Sequence, residues 1–101
     1  MDGQLSGFDW DHGNLEHCRK HGVSRAEIES VFTSPVIILP DTGHSQNEQR
    51  FRAIGRNRHG RAVFLVFAIR ERGGQRYIRP VSARYMHQEE NESYEEENPD
   101  L

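Results

Sequence analysis

Residues 50–84 read RFRAIGRNRHGRAVFLVFAIRERGGQRYIRPVSAR. Arg50-Phe51-Arg52-Ala53-Ile54 alternates polar and apolar, which predicts a strand with one wet face. Asn57 to Gly60 carries turn residues. Ala62 to Ile69 is eight apolar residues without a break. That run predicts a central strand buried on both faces. Arg70 to Gly74 turns the chain again. Tyr77, Ile78, Val81 and Ala83 mark the last strand, interrupted by Pro80. Proline cannot donate to a ladder, so an edge or a bulge is expected there. Consecutive strands joined by short turns predict an antiparallel meander.

The flanks complete the order of elements. Phe8 and Trp10 alternate with Asp9 and Asp11, a short first strand. Asp11 can cap a helix over 12–21, with Leu15 and Cys18 on one face and Gly22 as its stop. Ser24-Arg25-Ala26-Glu27 is a capping box that opens a second helix. Ile28, Val31 and Phe32 give that helix an apolar stripe, and Ser34-Pro35 ends it. Val36 to Leu39 is a short apolar run before the turn residues Pro40-Asp41-Thr42-Gly43. Met86 to about Glu96 favours helix, and 98–101 should fray. The reading is an α+β domain over 1–97. Strand, helix and helix precede an antiparallel sheet of about four strands and a C-terminal helix, with the early helices covering one sheet face.

The chain has 101 residues, of which 34% are hydrophobic. Its mean hydropathy is -0.89. No apolar run is long enough for a membrane span, so no membrane role is expected. Met1 to Gly7 lacks the basic and apolar regions of a secretory signal. The single cysteine fits a reducing cytoplasm. The net charge of -3 conceals an asymmetry. Residues 50–84 hold ten arginines and one acid, Glu71, whereas 85–101 hold seven acids and no Lys or Arg. A basic middle can meet phosphate, and an acidic tail can cover it or solvate the C-terminus.

Arg50, Arg52 and Arg56 share parity on their strand, while Phe51 points inward. Arg70, Arg72 and Arg84 fall at strand ends. Arg76 and Arg79 differ in parity, so only a bulge between them would put both on one side. Arginines converging on a sheet face can bind a sugar-phosphate backbone and stabilise a phosphoryl transition state without a metal. The plainer alternative is a charged, soluble face. His17 and His21 have metal-ligand spacing on a helix, with Cys18 beside them, but a zinc site needs three or four ligands. Helix capping, core packing and acid–base work are the competing uses. Asp9 and Asp11 are expected to be exposed. Ser82 lacks a nucleophile-elbow context, and no phosphate-cradling glycine loop is present.

Taken in order, several pieces resemble the BrnT family, toxin components of bacterial type II toxin–antitoxin pairs that are similar in fold to RelE-type ribonucleases. They are Phe8-Asp9-Trp10-Asp11 with Asn14, Lys20-His21-Gly22-Val23, and Glu27 through Phe32. Glu48, Arg50-Phe51 and Ile54-Gly55 follow, then Ile78-Arg79-Pro80-Val81-Ser82-Ala83-Arg84 with Tyr85-Met86, Glu90 and Tyr94. The resemblance implies metal-independent RNA cleavage without a cofactor. It also implies a BrnA-like antitoxin, with DNA contacted only through the antitoxin complex.

The family's basic positions carry over onto Arg50, Arg79 and Arg84, and its helix-end histidine onto His21. On chemical grounds, Arg79 and Arg84 would hold the scissile phosphate, and His21 or Glu48 would move protons. Arg50, Arg52, Arg70 and Arg76 would bind the RNA. One departure stands out. Residues 87–93, His-Gln-Glu-Glu-Asn-Glu-Ser, are acidic, where the resemblance implies a last helix that usually carries basic residues. Like charge near an RNA face weakens binding. The alternative is therefore a catalytically weakened or inactive domain that pairs with an antitoxin in a DNA-bound repressor.

Overall fold

The computed structural model describes residues 5–41 and 48–97. Thr42 and Gly43 of the expected turn, and the C-terminal 98–101, lie outside them. The chain forms β1 (Leu5–Phe8), α1 (His12–Arg19), α2 (Arg25–Val31), β2 (Val36–Pro40), β3 (Arg50–Arg56), β4 (Ala62–Arg72), β5 (Gln75–Tyr85) and α3 (Gln88–Glu97). The five strands make one sheet in the order β1-β5-β4-β3-β2. From β2 to β5 it is the expected antiparallel meander. β1 pairs with β5 in parallel, so the sheet is mixed. Adjacent-strand reasoning could not find that pairing, because its partners lie about seventy residues apart in sequence.

The first strand ends before the expected Trp10. Trp10 instead leaves the sheet, and its indole Nε1 donates to Glu29 Oε2 at 2.9 Å on α2. Asp11 accepts from the Asn14 N–H and caps α1 as expected. α1 closes at Arg19, two residues short of the expected end, and Gly22 follows at φ +84, the left-handed region glycine favours. Ser24 caps α2. Cys18, Val23, Ile28 and Val31 pack on Ala53, Val63, Leu65, Phe67, Ile78 and Ala83 of one sheet face. Gly55 lets α2 come close: a Cβ there would sit 3.1 Å from Val31 Cγ1.

The other sheet face lacks this helix-packed cluster, yet Ala62 and Ala68 are buried there, so the reading of β4 as buried on both faces holds in part. Phe64 and Val66 are half-buried between neighbouring strands. With both early helices on the opposite face, the apolar run is sheltered by its position at the centre of the sheet.

Candidate nucleic-acid interface

Residues paired across a ladder share a face. On the open face Arg50 and Arg79 flank Ala68, Arg52 and Ser82 flank Val66, and Ile54 and Arg84 flank Phe64. Arg56, Arg70 and Arg72 stand on the same face. One irregularity assembles this set. Arg79 and Arg84 are five residues apart, a spacing that puts two side chains on opposite faces of a regular strand. Ser82 pairs with Val66 but Pro80 pairs with Phe67, so Val81 drops out of the ladder. This bulge, at the proline that signalled it, restores the parity. It lies beyond both Arg76 and Arg79 and does not unite them. Arg76 stands opposite Glu71 on the other face, away from the predicted RNA-binding set.

Carboxylates hold most of these arginines in place. Glu48 Oε2 lies 2.9 Å from Arg70 Nη2, and its Oε1 lies 3.5 Å from Arg50 Nε. Asp9 Oδ2 meets Arg72 at 3.2 Å and Arg79 at 3.5 Å. Asp11 Oδ2 meets Arg79 Nη2 at 3.0 Å. Asp9 is thus buried, at 8% exposure, where alternation predicted an exposed side chain, because arginines of the open face cover it. Its N–H donates to Ile78 O, which draws it against β5 beside the two arginines. The Asn14 N–H, and then Arg79, hold the Asp11 carboxyl below its usual range. Arg84 makes a fork with Glu90, Nη1 to Oε1 at 2.8 Å and Nη2 to Oε2 at 2.9 Å.

Arg79 sits with Asp9 and Asp11, and the two predicted proton carriers, His21 and Glu48, fall into separate clusters. At one end, His21, Phe64, Ser82, Ala83 and Arg84 line a depression, and a second lined by His21, Arg61, Arg84, Tyr85, Met86 and His87 adjoins it. The Arg84 guanidinium carbon lies 4.8 Å from the Phe64 ring centre. His21 is exposed and sits past the end of α1. It therefore shares no helix face with His17, and among the described residues no cluster of three metal-ligating side chains forms around them. At the other end sit Glu48, Arg50 and Arg70. From Phe64 to Arg70 along β4 the separation is about 20 Å. Glu48 and His21 therefore cannot serve one phosphate together.

Sequence reasoning missed the groups that set this geometry. The Asn14 side chain is buried; its Nδ2 donates to Asp9 O at 3.0 Å and to Pro80 O at 2.8 Å, tying α1 to the bulge. Asn14 was visible only as part of W-D-x-x-N. Glu27 does more than cap α2. Its Oε2 accepts from the Tyr85 hydroxyl and from Asn57 Nδ2 at 2.9 Å, fixing the end of β5 next to Arg84. The Tyr85 bond holds the Glu27 carboxyl below its ordinary range and, reciprocally, pushes the Tyr85 phenol up. Burial pushes the Cys18 thiol up to about 11, so this cysteine is a core residue.

A small α+β fold with helices on one sheet face, and arginines beside an exposed histidine on the other, has the surface chemistry of the nucleic-acid-handling class. Within that class the chain belongs to the family described as "Ribonuclease toxin, BrnT, of type II toxin-antitoxin system", whose model matches residues 10–90. An RNA target and an antitoxin partner come with that membership. The match contains His21, Glu48, Arg50, Arg79, Arg84 and Glu90. No curated protein matches the chain. No helix among the described residues is long and apolar enough to cross a membrane.

Proposed function

We propose that this chain is a cytoplasmic, metal-independent endoribonuclease of RelE-like fold, acting as one unit over 1–97. It cuts RNA, inhibits translation, and is neutralised by a cognate BrnA-like antitoxin through which it contacts DNA. The observation that carries this reading is the depression shared by His21 and Arg84 on the arginine face. His21 takes the proton of a 2′-hydroxyl, and that oxygen attacks the adjacent phosphorus. The bond to the 5′-oxygen breaks, the leaving oxygen takes a proton from solvent water, and a 2′,3′-cyclic phosphate and a 5′-hydroxyl result. The Arg84 fork holds the charge that develops on the phosphoryl oxygens. Arg50 and Arg70, oriented by Glu48, and Arg52 hold flanking phosphates. Arg79 is half-buried between Asp9 and Asp11, so its part is to position the β5 strand.

The test is cleavage of an end-labelled RNA in EDTA, with and without ribosomes, beside Arg84→Ala. Cleavage by the wild type that falls at least a hundredfold in the variant is expected, since one such donor is worth about that much. Equal cleavage by both removes Arg84 from the site. The Arg84–Glu90 fork supports the second reading, a weakened domain that retains antitoxin binding. That reading predicts a stable complex with the antitoxin and no cleavage under either condition.

A further inference from the structure

Arg84 is the arginine that the proposed chemistry uses most directly, and its fork is already filled. Both of its terminal nitrogens meet a carboxylate oxygen of Glu90 within 2.9 Å, the geometry with which a guanidinium takes two phosphate oxygens. Glu90 is also shaped for this position. It is the third residue of α3, and its Oε1 accepts from the His87 N–H at 3.0 Å. The helix start and the arginine therefore fix the same carboxylate. Glu89 and Glu90 put acid in the first turn of α3, and no base lies in its last turn. A ten-residue helix of this composition has little stability alone.

We infer that Glu90 is a built-in stand-in for phosphate, and that α3 is an acidic strap which must release Arg84 before a nucleic-acid backbone can occupy the site. The inference deepens the ribonuclease reading and rests on it for its biological meaning, though competition at Arg84 can be measured without cleavage. A phosphate group that reaches Arg84 displaces Glu90, frees His87 from the α3 cap and lets the helix start move away. The strap sets a threshold: single phosphates compete poorly, whereas a strand that also engages Arg50, Arg52 and Arg70 competes well.

The experiment compares the full chain with Glu90→Gln and with Glu89→Gln, which removes the same charge from an exposed neighbour. Pyrophosphate and a short single-stranded RNA are titrated separately, following the Arg84 side-chain N–H by NMR and amide exchange in α3. Glu90→Gln should tighten pyrophosphate and RNA binding by roughly threefold to fivefold, the worth of a part-exposed ion pair. Glu89→Gln should move them far less, and RNA should speed exchange in α3 of the wild type. Equal gains in both variants reduce the effect to net charge and overturn the strap, as does an unchanged affinity in Glu90→Gln or no pyrophosphate binding by any form. A gain confined to Glu90→Gln without RNA cleavage by any form leaves the strap standing and refutes the ribonuclease reading. Cleavage by the wild type that Glu90→Gln leaves unaltered, with unaltered binding, does the reverse.

Discussion

Replacing Asn14 with alanine tests how the two ends of the site are held in register. The side chain accepts from the Asp11 N–H at 2.7 Å and donates to the carbonyls of Asp9 at 3.0 Å and Pro80 at 2.8 Å. It is 7% exposed, so water cannot readily replace these partners. At about 1 kcal/mol per bond, the loss is about 3 kcal/mol. For a domain of this size that lowers the thermal midpoint by roughly 12 °C or more. Thermal unfolding followed by circular dichroism near neutral pH measures it. Because Pro80 O is the carbonyl at the bulge, the folded variant should also bind RNA more weakly, with Arg79 and Arg84 no longer fixed to one face. Asn14→Asp, which loses both donors, should be at least as unstable. A midpoint drop below about 4 °C refutes the argument that this amide organises the bulge.

Other perturbations address other parts of the fold. Glu27 and Glu90 are held below their ordinary values, Glu90 down to about 2 by the Arg84 fork. Groups with depressed folded pKa values contribute stability above their unfolded values near 4.5 that is lost as pH falls. The urea midpoint should therefore drop between about pH 5 and pH 2, and Glu27→Gln should show a shallower drop. Cys18, 1% exposed and with its thiol pushed up to about 11, should resist a thiol reagent at pH 8 and react once the chain is unfolded in urea. Gly55→Ala would place a Cβ 3.1 Å from Val31 Cγ1 and 3.3 Å from Val36 Cγ2, and should cost about 1–3 kcal/mol in chemical denaturation.

Much of the open face was legible from residues 50–56. Strict alternation put Arg50, Arg52 and Arg56 on one side, and that side is outward. Pro80 announced its bulge because a residue without an N–H disrupts a ladder wherever it stands. The effect of the bulge was not legible. Its position relative to Arg79 and Arg84 depends on which residue leaves the ladder, and the pairing with β4 decides that. Asp9 was misplaced for a related reason. Alternation gives its side of the sheet but not its cover, and Arg72 of β4 and Arg79 of β5 close over it.

The sequence by itself determined the local elements and the chemistry available to them. Alternation set the faces of β3, Asp11 and Ser24 set the helix starts, and ten arginines between acidic flanks set a surface suited to phosphate. These are properties of neighbouring residues, so short-range pattern suffices. Only the tertiary structure decided the parallel docking of β1 on β5 and the separation of Glu48 from His21. It also seated Glu90 on Arg84, six residues away across a change from strand to helix. Such pairings depend on where distant or differently directed segments meet, and on the ion pairs gained there. No periodicity in the chain encodes them.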